Sequence, residues 1–246
     1  MADSNSATPK GNRPQITKGL RIYAVGDIHG RADLLRSMFA RIDADLALHP
    51  MSNSVEVFMG DYIDRGPASR EVIDQLIARS LTHQTVFLRG NHETFLSRFT
   101  TTPSILSEWQ QLGGLETLMS YGIAPSINAR PDTQMRLAAA LNRVLPERHR
   151  AFLAQTRLSY SCGDFFFAHA GVRPGVSLES QCEEDLLWIR GEFLNCEDDF
   201  GKVVVHGHTP VPAVDIRLNR INIDTGAYAT GRLTCLVLEE DKTRFL

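Results

Sequence analysis

The sequence predicts an α/β (α+β) fold, and three observations support this prediction. Three strand–loop–helix units follow one another in the first hundred residues, helix-like spacing continues to about residue 157, and strand signals dominate from Leu158 onward. Successive strand–loop–helix units are typical of an open α/β sheet, and such sheets bind ligands at the carboxyl ends of their strands. We therefore expect the functional residues in the loops that follow strands.

Each of the first three units pairs a short apolar segment with a polar loop and a helix. The first loop precedes an amphipathic helix predicted over 32–48, and the second precedes a helix over 69–79. The third loop runs into an apolar helical start. The three strands are predicted at Leu20–Val25, Val55–Met59 and Thr85–Leu88.

The middle and last parts of the chain have different patterns. Residues 100–157 show helical spacing interrupted by proline and by Gly113-Gly114, which predicts a helical insertion. From residue 158 the segments resemble strands joined by turns, so we expect a second, mainly antiparallel sheet. Its strands are predicted at Leu158–Ser161, Asp164–Ala168, Lys202–Val205, Arg220–Ile223 and Leu233–Leu238.

Composition indicates a soluble globular protein. Residues 1–18, rich in Ser, Asn, Thr, Pro and Gly, are predicted to be a disordered leader, and 19–246 a single catalytic domain. A formal charge of −3 offers no attraction for polyanions, so neither nucleic acid nor a membrane is an expected partner. Four cysteines without a C-x-x-C pair argue against a thiolate zinc site and against a disulfide framework, so we expect a cytoplasmic protein with free thiols.

The first two loops contain residues that can bind metal ions. Asp27 and His29 follow the first strand, and Asp61, Asp64 and Arg65 follow the second. Carboxylate and imidazole groups suit borderline metals such as Mn, Fe or Zn. A single strand-end aspartate is often only a helix N-cap, but here similar groups recur at successive strand ends.

Three later loops add an amide and further imidazoles. Asn91 and His92 follow the third strand, His169 lies in Ala-His-Ala-Gly, and His208 lies in His-Gly-His-Thr. Five polar loops at five predicted strand ends indicate one shared metal site rather than chance.

In order, the loops are GDIHG, GDYIDRG, GNHE, HAG and HGH. They resemble the signature of the phosphoprotein phosphatase family, in its bacterial branch, within the calcineurin-like metallophosphoesterases. The resemblance extends from Arg21 to about Gly226. It implies a metallophosphoesterase-type β-sandwich flanked by helices. It also implies hydrolysis of phosphate monoesters, in proteins at phosphoserine or phosphothreonine or in small phosphoesters, by a hydroxide bridging two metal ions. Mn²⁺ is the preferred ion, and Fe or Zn are alternatives.

The resemblance also assigns the metal ligands. It places Asp27 and His29 at the first ion and Asp61 as the bridge, and it places Asn91, His169 and His208 at the second ion. Such assignments agree with electrostatics, because ions ~3.5–4 Å apart repel each other and need a shared anionic ligand.

Four other residues are expected to act on the phosphoryl group. Arg65 and Arg190 would bind its oxygens through their planar guanidinium groups, although Arg190 has the alternative of a helix C-terminal arginine that meets the macrodipole. His92 would protonate the leaving alkoxide, and Asp64 would orient its ring and keep it protonated.

The sequence allows two interpretations for each of three further residues. Trp109, in a Trp-x-x-x-Gly-Gly stretch, belongs either to the site or to the core. His206 supports a ligand or is simply buried. Asp224 is either a hydrogen-bond partner of a metal-bound histidine or a turn residue.

Two other functions fit the same loops. A symmetrical diadenosine tetraphosphate hydrolase shares the metal loops, and residues 222–228 replace the C-terminal segment of the eukaryotic-type protein phosphatases. An inactive module that recognises phosphorylated ligands is the alternative from another class. All six inferred ligands are present, which argues against the inactive module.

Overall fold

Two five-stranded sheets form the centre of the computed structural model, which describes residues 13–246. In spatial order, the first sheet contains β10 (Lys242–Phe245), β9 (Cys235–Glu239), β1 (Leu20–Val25), β2 (Asn53–Phe58) and β3 (Thr85–Phe87). The second contains β4 (Ser159–Cys162), β5 (Phe165–Ala168), β6 (Val203–His206), β8 (Arg220–Asn222) and β7 (Asp215–Ile216).

Alternating side chains along the strands build two apolar layers. On β1, Ile22 and Ala24 face the second sheet and pack in one core with Phe165 and Phe167. Their neighbour Tyr23 faces the other way, into a core shared with the helices. A period of two is what places successive side chains on opposite faces of a strand, and here both faces are buried. The result is a sandwich with helices outside both sheets.

The helices occupy the outer faces of the sandwich. The first group is α1 (Ala32–Leu48), α2 (Ser69–Ser80) and α3 (Asn91–Phe99). The insertion holds α4 (Leu106–Trp109), α5 (Gly114–Ser120), α6 (Pro131–Val144) and α7 (Glu147–Gln155), with 3₁₀ helices at Pro103–Ile105 and Gln110–Leu112. Beyond it lie a 3₁₀ helix at Leu178–Ser180, α8 (Glu183–Trp188), α9 (Gly191–Leu194) and α10 (Ala227–Thr230).

The predicted α/β (α+β) sandwich flanked by helices is confirmed, and so is the helical character of 100–157. The first three predicted strands and the first two helices agree with the structure to within two residues at each end. None of the helices in the described part of the chain combines the length and the apolar character needed to cross a membrane.

The prediction of a mainly antiparallel second sheet is wrong. Strands β5, β6 and β8 pair in parallel, and only the edge strands β4 and β7 are antiparallel. Parallel neighbours need long crossovers, and α8 and α9 lie in the one between β5 and β6. Strand β9 was assigned to this sheet but pairs antiparallel with β1 in the first sheet.

The predicted leader over 1–18 needs a correction where it can be examined. Residues 1–12 lie outside the described residues, so the structure does not bear on that part of the prediction. Ile16 is buried between the sheets and donates its N–H to the Glu240 carbonyl at 3.0 Å, and Gln15 exchanges hydrogen bonds with Asp164. The buried Ile16 and these hydrogen bonds hold residues 15 and 16 against the sheets, and average composition does not reveal such contacts.

Candidate metal centre

Buried polar side chains meet at one edge of the sandwich, where five strands end. They come from the loops after β1, β2, β3, β5 and β6, so the structure brings together residues spread over most of the chain. All are buried: Asp27, His29, Asp61, Asn91, His92, His169 and His208.

Asp61 lies in the middle of this cluster. Its Oδ2 is 3.5 Å from His29 Nε2 and 3.7 Å from His92 Nε2, and its Oδ1 is 3.3 Å from His169 Nε2. Two groups of possible ligands therefore share this carboxylate, one with His29 and His92 and one with His169 and His208. A shared carboxylate between two donor groups is the arrangement that a pair of ions requires.

The loops reach this geometry through an unusual backbone. Seven non-glycine residues of the described chain have positive φ, and five of them are at this site, with φ between 45° and 70°. Residues other than glycine rarely adopt this left-handed region, and such outliers persist only where the surrounding structure holds them. The five are His29, Asp61, Asp64, Arg65 and His208.

Backbone carbonyls fix the orientation of two histidine rings. His29 Nδ1 donates to the Ile63 carbonyl at 2.9 Å, and His169 Nδ1 donates to the Met59 carbonyl at 2.8 Å. Because the proton is on Nδ1 in each ring, the lone pair is on Nε2 and faces Asp61. Supporting bonds of this kind are typical of metal-binding histidines.

His169 Nε2 and Asn91 Oδ1 face each other without a proton between them, since the ring proton of His169 is on Nδ1. Asn91 Oδ1 lies 3.0 Å from His169 Nε2 and 2.9 Å from His208 Nδ1. The buried atoms Asp27 Oδ1 and His208 Nε2 have no hydrogen-bond partner among the described residues. Buried polar atoms normally find partners, so these residues fit a site for cations. The mixed oxygen and imidazole donors suit Mn, Fe or Zn.

Burial keeps the imidazoles of His29 and His208 neutral. It lowers the pKa of His29 to about 3 and that of His208 to about 2, in spite of the nearby Asp61 carboxylate. Burial would raise the pKa of Asp61, but the facing histidines, His169 first, outweigh it and lower that pKa. Neutral imidazole and ionised carboxylate are the forms that bind metals.

Asp27 connects the first loop to the last. Burial, then the charges of Asp224 and Asp61, hold its pKa well above the usual range. Its Oδ2 accepts the backbone N–H of His208 at 2.9 Å. A Cβ on Gly207 would lie only 2.0 Å from Asp27 Oδ1, so glycine is required between the two histidines of His-Gly-His.

His92 and Asp64 form a hydrogen-bonded pair at 2.6 Å between Nδ1 and Oδ2. Trp109 Nε1 and Thr117 Oγ1 donate to the two Asp64 oxygens at 2.8 and 2.6 Å. Burial would lower the pKa of His92, but the Asp61 and Asp64 carboxylates outweigh it and raise the pKa. The ring can therefore hold a proton beside the cluster.

The two arginines occupy opposite sides of the centre. Arg65 Nη1 lies 3.0 Å from His29 Nε2, and its guanidinium carbon is 4.7 Å from the centroid of the Tyr228 ring. Arg190 is exposed and donates from Nη1 to the Thr209 hydroxyl at 3.1 Å, next to His208. Arg190 also directly follows Ile189, the C-cap of α8, so its alternative as a helix C-terminal arginine remains open.

The three residues with two interpretations are also placed. Trp109 is both fully buried in the core and bonded to Asp64. His206 points away from the cluster, packs against Phe193 at 4.9 Å between ring centroids, and has a pKa lowered by burial to about 3. Asp224 accepts the Gly226 N–H, and among the described residues it bonds to no histidine.

The sequence interpretation missed two supporting residues. Glu93 accepts backbone N–H groups from Asp61, Tyr62 and Gly90 at 2.8 to 2.9 Å. Its signal was present, since an acid as the last letter of GNHE and near a helix start is suited to binding backbone N–H groups. Thr117 lies in the insertion, and nothing in its local sequence indicates a contact with Asp64.

Comparisons with known proteins agree with this geometry. A family model described as calcineurin-like phosphoesterase matches residues 20–238. The bis(5'-nucleosyl)-tetraphosphatase PrpE, described as asymmetrical, from Anoxybacillus flavithermus (strain DSM 21510 / WK1) is 28% identical over 237 residues, which cover 89% of this chain and 91% of that protein.

Solved structures show the same fold. A protein provisionally named a diadenosine tetraphosphatase superposes with a TM-score of 0.62 at 19% identity, over 92% of both chains. A protein serine/threonine phosphatase from Saccharomyces cerevisiae superposes with a TM-score of 0.51 at 15% identity, over 91% of this chain and 81% of that one.

Proposed function

This chain belongs to the calcineurin-like phosphoesterase family, and from that premise we propose that it cleaves dinucleoside tetraphosphates by metal-dependent attack of water on a phosphoanhydride bond. The name of the Anoxybacillus relative supports this substrate, since the alignment covers nearly the full length of both proteins. That name also specifies asymmetrical cleavage, which for diadenosine tetraphosphate gives ATP and AMP. The symmetrical hydrolase considered from the sequence would give two ADP.

The observation that carries the proposal is the shared position of Asp61 between two donor groups. We assign Asp27, His29 and Asp61 to one ion, and Asp61, Asn91, His169 and His208 to the other. Mn²⁺ is the preferred ion, with Fe or Zn as alternatives. When bound, such ions polarise phosphoryl oxygens and lower the pKa of water.

The arginines provide charge for the phosphate chain. Arg65 lies against His29, and Arg190 lies beside His208. The two guanidinium groups therefore flank the groups of metal ligands. A tetraphosphate carries several negative charges, and guanidinium groups bind its oxygens through paired N–H donors. We assign Arg65 to the phosphoryl group under attack and Arg190 to the phosphate chain on the other side.

His92 is assigned as the proton donor to the leaving group. Its Nδ1 is held by Asp64, which leaves Nε2 directed at the centre, 3.7 Å from Asp61 Oδ2. A fixed and protonated imidazole is suited to general acid catalysis. Asp64 acts as a positioning residue because it touches the ring rather than the reacting atoms.

A second candidate is hydrolysis of phosphoserine or phosphothreonine in proteins, which is the function expected from the sequence resemblance. The His92–Asp64 pair favours it, because an alkoxide is a poor leaving group and needs a proton more than a nucleotide phosphate does. The structural likeness to a protein phosphatase, at 15% identity, shows the fold alone.

A direct comparison of substrates tests the proposal. The purified chain is incubated with diadenosine tetraphosphate or with a phosphoserine peptide, with Mn²⁺ or with a chelator, and the products are separated by anion exchange. We expect a higher kcat/KM on the dinucleotide, products ATP and AMP, and no turnover with chelator. Preference for the peptide supports the second candidate, and binding without any metal-dependent turnover supports the inactive module.

A further inference from the structure

Exposed aromatic side chains are concentrated beside the metal centre. Among the described residues, the exposed large aromatic side chains are Trp188, Tyr228 and Phe245. Trp188 lies 6.2 Å from His208 and Tyr228 lies 5.4 Å from His29, measured between ring centroids. Two of the three therefore contact the rings assigned to the ions, where a ligand bound at the centre can reach them.

The faces of the Trp188 ring are less covered by neighbouring side chains than those of Tyr228. Tyr228 already has the Arg65 guanidinium over its ring at 4.7 Å. The rings of Phe95 and His208 meet Trp188 in T-shaped contacts, at 76° and 83°, and in the described chain no ring stacks parallel to it. These contacts fix the indole in place while 39% of the side chain stays exposed.

The charges beside Trp188 favour a nucleobase over a phosphate. A groove of about 310 Å³ adjoins the indole, and Arg173 in this groove is already paired with Asp185 and Glu192 at 2.5 and 2.7 Å. Within residues 13–246 no ion pair neutralises Glu184, which also lines the groove. The Glu184 carboxylate repels phosphates, whereas it accepts hydrogen bonds from amino groups such as that of adenine.

Arg190 lies between the groove beside Trp188 and the metal centre. It lines the same groove as Trp188 and bonds to Thr209, next to His208. A nucleotide bound across the groove and the centre would place its phosphate toward Arg190 and the centre and its base over the indole. Aromatic side chains bind bases in this way with little dependence on sequence.

We propose that Trp188 is the platform on which one base of the substrate stacks, with the groove beyond it accepting the amino edge of that base. This inference rests on the proposed dinucleoside tetraphosphate substrate, and it makes Trp188 a specificity-determining residue. Adenine nucleotides should bind better than compounds that carry the same phosphate and sugar without a base.

Tryptophan fluorescence tests the contact directly, because the chain has two tryptophans and Trp109 is fully buried. The Mn²⁺-loaded protein is titrated with AMP and, as the matched control, with ribose 5-phosphate. We expect AMP to quench emission and ribose 5-phosphate to leave it unchanged, and Trp188→Phe should remove the quenching. Equal effects of the two compounds, or quenching that survives in Trp188→Phe, would overturn the platform.

Kinetics of Trp188→Leu give an independent test. The ratio of kcat/KM on diadenosine tetraphosphate to that on p-nitrophenyl phosphate should fall roughly 5- to 150-fold, which is the range for loss of one base stacked on an aromatic ring. Trp188→Phe should recover part of the loss. Leu81→Ala removes an exposed apolar side chain at the far end of α2 and serves as the control.

The outcomes separate the two proposals. An unchanged ratio in Trp188→Leu, while the wild-type chain hydrolyses the dinucleotide well, overturns the platform alone. A wild-type chain that hydrolyses only monoesters contradicts the proposed substrate, and it does so before any variant is compared.

Discussion

The strand-end loops and the helical insertion contribute to the centre in different ways. The loops carry all six proposed metal ligands, whereas the insertion carries none of them. The insertion instead provides Trp109 and Thr117, which hold Asp64, and the Gly113 carbonyl, which accepts the Arg65 N–H at 3.2 Å. The ligands are therefore placed by the sheet, while the neighbouring Asp64 and Arg65 are held by an element packed from outside.

Gly113 shows how close this packing is. It has a φ of 95°, and a Cβ there would lie 2.5 Å from the Arg65 backbone nitrogen. Any other residue would push the insertion away from the loop or force the loop to move. The insertion is therefore part of the site, although it holds no ligand.

The largest effect is expected from Asp61→Asn, which changes the loop side of the comparison. The bridge loses its charge, so both ions should bind more weakly by more than roughly 100-fold, since losing a residue that only supports a ligand already costs 10–100-fold. Metal content by mass spectrometry and turnover should both collapse. The exposed Asp132→Asn is the matched control, and normal metal content in Asp61→Asn would contradict the bridging assignment.

The next effect comes from His92→Asn at the junction of the two regions. If the ring is the proton donor, kcat on alkyl phosphates should fall roughly 10²–10⁴-fold, with a smaller fall on p-nitrophenyl phosphate, and both ions should remain. Geometry also allows His92 as a ligand with His29 and Asp61. Loss of one ion, or equal losses on the two substrates, would support the ligand role instead.

Thr117→Val tests the insertion side with a change of similar volume. Removing the hydroxyl leaves Asp64 Oδ1 without its 2.6 Å donor, so kcat should fall roughly 10-fold with little change in KM. Added to His92→Asn, the change should cost almost nothing more, because its effect passes through that ring. Thr133→Val is the control, because the hydroxyl of this half-buried residue of α6 bonds to the exposed Arg136 rather than to the centre. Additive losses would show a merely structural role for Thr117.

The smallest expected effect is a pH dependence of stability, at the contact between α7 of the insertion and α2. His149 on α7 is buried and bonds through Nε2 to Asp74 on α2 at 2.8 Å, and burial outweighs Asp74 and lowers the pKa of His149. As pH falls below about 6.5, His149 is protonated in the unfolded chain but stays neutral in the folded chain. The free energy of unfolding therefore decreases as pH falls.

Urea unfolding at pH 7 and pH 5 measures this loss, which should not exceed about 1.4 kcal/mol per pH unit for one group. Other buried histidines also contribute, those with a lowered pKa with the same sign and His92, whose pKa is raised, with the opposite sign. The informative quantity is therefore the difference between the wild-type chain and His149→Gln. We expect a flatter pH dependence in the variant. Identical slopes would mean that His149 does not titrate differently on folding.

Much of the loop side could be predicted from the sequence because its signals are local. Strand β1, helix α1 and the GDIHG loop are specified by neighbouring residues, since apolar runs, amphipathic spacing and glycines act within a few positions. The site residues in these loops were found for the same reason, and the structure brings them together. Their roles as ligands and catalysts remain predictions that the variants above address.

The remainder depends on contacts that no local pattern encodes. Strands β7 and β10 are short and largely exposed, so they lack an apolar run. Parallel pairing of β5, β6 and β8 is decided by partners far apart in the chain. Thr117 sits on a short helix whose face toward Asp64 is set only when the insertion packs.

The position of β1 has a consequence for synthesis on the ribosome. On one side it pairs with β2, and on the other with β9, where Arg21 bonds to Glu239 across 218 positions of sequence. A nascent chain therefore exposes Asp27, His29 and Asp61 long before His208 has been translated. During that interval the emerging polypeptide has three of the six proposed ligands and an unpaired strand edge, which only the last part of the chain covers.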